Sequence, residues 1–142
     1  MSMNKERLVT REEILDKARE LADLISRSDE VDFFKKAEQK IKKNMKVQLL
    51  IGQIKGKQKE AVHAEHYGTP QHLAEVEKEI ERLNQELDEI PVVQEFKQSQ
   101  VEVNDLLQLI TNIISNTVTE KIILSTGGDP LTGKTGILPD EE

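Results

Sequence analysis

Apolar residues recur at helical spacing in five blocks along this chain, and the longest block runs from Pro91 to Leu124. Proline suits the first helical position because that N–H has no intrahelical acceptor, and Thr126-Gly127-Gly128 supplies a stop. The 34 residues between predict a helix about 51 Å long at 1.5 Å per residue. Within it Val103, Leu106, Leu107, Leu109, Ile110, Ile113 and Ile114 make seven of the twelve positions from 103 to 114 apolar. A helix so widely apolar is covered on more than one side, by its own bundle or by another subunit.

The shorter blocks precede it. Thr10-Arg-Glu-Glu13 has the spacing of a capping box, in which the Thr hydroxyl and the Glu carboxylate each accept from a free backbone N–H. A first helix follows over about 11–27, with Ile14, Leu15, Ala18, Leu21, Ala22 and Ile25 on one face. Ser28 and Asp29 interrupt the pattern and cap a second helix near 30–43, with Val31, Phe34, Ala37 and Ile41 inward and Phe33 beside that stripe. Asn44 ends this helix or caps a third, about 45–66, which carries Val47, Leu50, Ile51, Ile54, Ala61 and Val62. Gly52 and Gly56 lower the intrinsic stability of that helix or mark a close helix contact. Tyr67-Gly-Thr-Pro70 reads as a turn, with Thr69 as cap and Pro70 at the first position of a fourth helix. Over about 70–89 Leu73, Val76, Ile80, Leu83, Leu87 and Ile90 alternate at spacings of three and four, the narrow seam of a coiled coil. The third and fourth helices are of similar length and joined by a short turn, so they predict an antiparallel hairpin of about 30 Å. The last helix outruns that hairpin by about 20 Å, and the first two helices, a partner or both must cover the overhang. From Ser125 onward four glycines, two prolines and an acidic end predict a flexible tail.

Composition sharpens this picture. Charged residues make up 33% of the 142 and aromatic residues 3%, closer to long exposed helices than to a compact enzyme. Without cysteine there is no disulfide framework, thiolate nucleophile or thiolate-bound metal, which fits a reducing cytoplasm. The N-terminal stretch lacks an apolar signal region, and no window reaches the roughly 18 apolar residues of a spanning helix, so a cytosolic protein is expected. Charge is unevenly spread. Nine lysines and one acid between Lys35 and Lys59 give that segment +8 within an overall −7, a block able to meet RNA, an acidic partner or the chain's own acids.

Candidate chemistry is sparse. Gly128-Asp-Pro-Leu-Thr-Gly-Lys-Thr135 satisfies the phosphate-loop pattern GxxxxGK[ST]. That loop works between a strand and a helix whose N-terminus faces the anion, whereas here it follows a helix and only seven residues come after it, so a chance match is expected. Glu60-x-x-His63 has the spacing used in di-iron bundles, but no second such motif accompanies it. His63, His66 and His72 gather near the hairpin turn, where a surface role is expected in the absence of converging ligands. The carboxylates occupy positions typical of solvated helix faces, without support for paired acid/base catalysis. The lysine block, with Lys35, Lys36, Lys40, Lys42, Lys43 and Lys46 at its centre, reads as a solvated face paired with acids or as a sequence-independent phosphate contact; only Phe33 and Phe34 interleave it, which argues against a stacking platform.

Several stretches, taken together, carry a resemblance. Glu30-Val-Asp-Phe-Phe-Lys-Lys-Ala-Glu38, Ile90-Pro-Val-Val-Gln-Glu-Phe96, Ser99-Gln100, Val103-Asn-Asp-Leu-Leu-Gln-Leu109 and Ser125-Thr-Gly-Gly-Asp129 resemble the YlbF/YmcA family of Firmicutes, in its YmcA (RicA) branch. The resemblance spans about residues 10–136. It implies a helical, self-associating protein that joins YlbF-type and YaaT-type partners in a complex acting on RNase Y, with effects on mRNA processing, competence, biofilm formation and sporulation. An older view of the family implies an effector of the sporulation phosphorelay. Some members of the branch carry tail cysteines associated with iron–sulfur clusters; this chain has none, so any cluster would be ligated by its partners and no cofactor is expected here.

The combined expectation is an all-α protein, an elongated bundle of about five helices over residues 1–125 with a flexible tail over 126–142. It has no catalytic or metal site. Phe96, Val103, Leu106, Leu107, Ile110, Ile113 and Ile114 form its partner or oligomer interface, and the protein works as a homo-oligomeric scaffold. The lysine block leaves a direct RNA-binding module as the alternative.

Overall fold

A computed structural model describes residues 7–129, 131 and 132. Five α-helices account for nearly all of them: α1 (Arg11–Ser26), α2 (Asp29–Lys43), α3 (Met45–Tyr67), α4 (Pro70–Asp88) and α5 (Pro91–Ser125). The boundaries follow local chemistry. Thr10 and Glu13 form the reciprocal capping box, with the Glu13 carboxylate accepting from Thr10 N at 3.0 Å and Thr10 Oγ1 accepting from Glu13 N at 3.3 Å. Ser28 Oγ caps α2 by accepting from Val31 N. Asn44 both ends α2 and starts α3, its Oδ1 accepting from Val47 N at 3.0 Å. Thr69 caps α4, with Pro70 at the position where an N–H would be idle. At the far end of α5, Gly127 adopts φ +78°, and Gly128 N donates to Ile123 O, the left-handed closure that satisfies the last carbonyls.

Contacts divide the chain into two compact units, one ending at Val101 and one beginning at Glu102, so the boundary falls within α5. In the first unit α3 and α4 form the predicted hairpin. Leu50, Ile54 and Leu83 are buried between them, with Leu87 and Ile90 packed against the cluster. Val76 is also buried and Leu73 and Ile80 are half-buried, so the whole α4 seam faces inward. Burying side chains of this size contributes about 1.5–3 kcal/mol each. On α3, Val47 and Ala64 join the core, whereas Val62, expected inward, is 58% exposed. Its position falls off the stripe that Leu50, Ile54 and Ala61 define. Gly52 and Gly56 do not mark a close helix contact: a Cβ at either would meet nothing within 4 Å.

α2 behaves as its pattern predicts, with Ala37 buried and Val31, Phe34 and Ile41 half-buried; Phe33 is half-buried too. α1 departs from expectation. None of its residues is buried; Leu21 and Ile25 are half-buried, while Ile14, Leu15, Ala18 and Ala22 are exposed. The apolar stripe is present in α1, but only part of it meets a neighbour within the chain. No described helix is long and apolar enough to cross a membrane.

Candidate functional site

The start of α5 is anchored in the first unit by side chains of α2. The rings of Phe34 and Phe96 meet at a centroid distance of 5.3 Å, and Lys40 Nζ reaches the Glu95 carboxylate at 3.1 Å. Val93 is buried, and Ser99 is wholly so, its hydroxyl turned back to donate to Phe96 O at 2.6 Å. A small residue one turn from Phe96 leaves no side chain in search of a distant partner, because its hydroxyl is satisfied within the helix. Phe96, named from the sequence as an interface residue, is therefore half-buried within the chain.

The second unit contains the rest of α5. Val103, Leu106 and Ile110 are half-buried, whereas Leu107, Leu109, Ile113 and Ile114 are exposed. Every residue from 111 to 122 is exposed, with Ile113 at 55%, Ile114 at 50% and Val118 at 51%. Ile122 and Leu124 continue the exposed apolar series beyond the predicted set; Val118 at four residues past Ile114 was the available signal. From Leu106 to Thr119 there is no charged residue. A solvated helix face of that length normally carries several charges. Of its polar members, Gln108, Asn112, Ser115, Asn116 and Thr119 lie on the side away from Leu107, Ile110 and Ile114, whereas Thr111 and Thr117 flank those apolar residues, as helical spacing requires.

The lysine block is partly neutralised. Lys36 pairs with Asp32 and Lys42 with Glu38, each one turn back on α2, and Lys40 pairs with Glu95. The hydrogen bond to Asp32, with its charge, holds the Lys36 ammonium above its ordinary range. Lys57 meets Glu60 on its own helix. The acids therefore come from α2, α3 and α5. Lys35, Lys43 and Lys46 have no ion pair among the described residues.

Near the hairpin turn, His63 and His66 lie against the Tyr67 ring, and His72 Nε2 stands 3.6 Å from Glu60. Among the described residues no group of three His, Asp or Glu side chains is placed to hold a metal ion. Arg82 on α4 bridges Glu79 and Glu86 and holds the Glu79 carboxyl below its usual range. The Gly128–Thr135 pattern follows α5 directly, not a strand. Asp129 there accepts from Leu131 N through its side chain, while Pro130 and residues 133–135 lie outside the described residues, as does most of the tail predicted to be flexible.

Two comparisons bear on this surface. The sequence model of the family described as "Control of competence regulator ComK, YlbF/YmcA" matches residues 14–119. YmcA of Bacillus subtilis (strain 168) is 54% identical to the chain over 129 residues, covering 91% of this chain and 90% of that protein. The matched span takes in α2 through α4 and α5 as far as Thr119, including the whole uncharged run.

Proposed function

Because the chain belongs to the YlbF/YmcA family of competence-control proteins, we propose that it is a non-enzymatic subunit of a regulatory assembly, joined to other proteins through the exposed apolar face of α5. The observation that carries this reading is the fourteen-residue run from Leu106 to Thr119, uncharged and largely exposed. Apolar surface of this kind gains about 25 cal/mol per Å² when covered, which drives association although area alone does not set affinity. The protein works in the cytoplasm with YlbF-type and YaaT-type proteins. Together they direct RNase Y in mRNA processing, and through it competence, biofilm formation and sporulation. Self-association uses the same helix, with Phe96 and Val103 at the edge of the contact and Leu107, Ile113 and Ile114 within it.

Co-purification from cells of the native organism tests this. Tagged unmodified protein should bring down two different partner proteins, identified by mass spectrometry, and Leu107→Asp/Ile114→Asp should lose both. Retention of both partners by that variant would contradict the role given to α5.

The unpaired Lys35, Lys43 and Lys46 favour a second reading, a phosphate contact with RNA. It requires retention of RNA by the isolated chain, with log affinity falling as log salt rises. Charge reversal at Lys42, Lys43 and Lys46 should then abolish retention, and unchanged RNA affinity would remove the site.

A further inference from the structure

We propose that the outward face of α3 is a docking surface for an acidic helix of another protein, separate from α5 and from the role given to that helix. Met45, Leu49, Gly52, Gly56, His63 and Tyr67 follow one another at spacings of 4, 3, 4, 7 and 4, so they share one side of α3. The row runs for about 33 Å at 1.5 Å per residue. All six are exposed, Met45 at 86%, Leu49 at 62% and Tyr67 at 81%. The middle of the row carries no side chain. A Cβ at Gly52 or Gly56 would meet nothing within 4 Å, and beside Gly56 a groove of about 370 Å³ opens towards α4, walled by Gln53, Lys57, Glu60 and Arg82. A second helix laid along this face can therefore approach to the short end of the roughly 8–10 Å range between packed axes. A helix is the form that suits it. α3 uses its own backbone N–H and C=O groups internally and offers none to a partner, so an extended segment laid there would bury unpaired backbone groups.

Charge sets the sign of the partner. Lys55 and Lys59 lie four residues apart on one border of the row and Lys46 lies on the other. None of the three has an ion pair among the described residues. Glu60, the α3 carboxylate on that side, is engaged by Lys57 and His72, and Arg82 in the groove wall by Glu79 and Glu86. Unpaired cations thus border an exposed apolar row, which is the complement of a helix whose own apolar stripe is flanked by glutamate or aspartate. RNA would use the lysines but leave Met45 and Leu49 without a contact of their kind. A bilayer surface gains little from a face whose middle is glycine, because nothing there inserts. A contact along one helix is small, below about 1,200 Å², so the complex is transient and weakens as salt rises.

The probe is a synthetic alanine-rich helical peptide of about 20 residues, matched to the row in length, with one stripe of leucines bordered by glutamates. Glutamine or lysine replaces the glutamates in the control peptides. Titrated into isotope-labelled full-length protein, the glutamate peptide should shift the amide resonances of Gly52 and Gly56. It should bind roughly three- to tenfold more tightly than the glutamine peptide, the range for a few exposed ion pairs, and the lysine peptide should not bind. Lys55→Glu/Lys59→Glu should reverse that order, so that the lysine peptide binds more tightly than the glutamate one. Gly56→Leu should raise the melting temperature, because leucine favours the helix and the site is open, yet weaken the glutamate peptide by filling the depression. Equal affinity for all three peptides, shifts confined to α5, or undiminished binding by Gly56→Leu would overturn the proposal. In cells, a benzophenone amino acid in place of Leu49 should crosslink to a net-acidic segment of another protein, with the adduct lost in Lys55→Glu/Lys59→Glu. An adduct only with RNA or lipid, or no adduct, would overturn it as well. The two surfaces fail separately: Lys55→Glu/Lys59→Glu should keep the partners held through α5, and Leu107→Asp/Ile114→Asp should keep the peptide.

Discussion

At Gly68 the chain turns from α3 into α4 with the backbone at φ −98°, a conformation open to any residue. What glycine supplies there is space: a Cβ would stand 2.9 Å from both Cα and O of Ala64, and both are backbone atoms that cannot rotate away. Gly68→Ala should therefore destabilise the hairpin by about 1–3 kcal/mol, as overpacking does, measured by urea denaturation. A loss below a few tenths would show that the turn relaxes freely. Turn chemistry was legible at this position, but the reason for glycine was not, since the obstruction comes from the preceding helical turn. Ser99 is a similar case, because nothing in its spacing distinguished a fully buried serine from an exposed one.

Glu13 allows a pH prediction at the same scale. Hydrogen bonds from Arg7 and from the Thr10 backbone N–H hold its carboxyl below the usual carboxylate range. A carboxyl with a lowered folded-state pKa contributes stability that is complete above its unfolded value and disappears as pH falls through the folded one. The N-terminal turn of α1 should then loosen in that acid window, seen as faster exchange of the Glu13 amide. Glu13→Gln keeps an acceptor for Thr10 N and should abolish the pH dependence. Persistent dependence in that variant would assign the effect to another group.

Among the elements, the α3–α4 hairpin was the most legible. A three-four alternation from Leu73 to Ile90 admits one buried face, and all six residues lie inward. Leu83 sits in the middle of the core cluster, so Leu83→Ala should cost about 2–5 kcal/mol in chemical denaturation. A cost under 1 kcal/mol would mean that the cluster collapses to fill the space. α1 shows the limit of the same method. Periodicity reports that a helix has an apolar face, not that the chain supplies something to place against it, and Ile14 and Leu15 remain exposed. For α5 the signal was of another kind: seven apolar residues in the twelve positions from 103 to 114 are too many for a single buried stripe. Which of its residues would be half-buried, Val103, Leu106 and Ile110, followed only from the structure.

For the whole molecule, the family relation and the exposed α5 run support the same account, in which regulation proceeds by assembly. Ile114 gives the cleanest separation of folding from assembly, because it is half exposed in the single chain. Replacing it by aspartate should leave the helix content unchanged and alter single-chain stability by about 0.5 kcal/mol or less, as surface substitutions do, while removing apolar contact from any α5 interface. The central claim is tested most directly by light scattering of the unmodified chain over a range of concentrations, run beside Leu107→Asp/Ile114→Asp. The account predicts a mass above that of one chain for the unmodified protein and a folded monomer for the variant; a well-folded monomer for both at every concentration would contradict it.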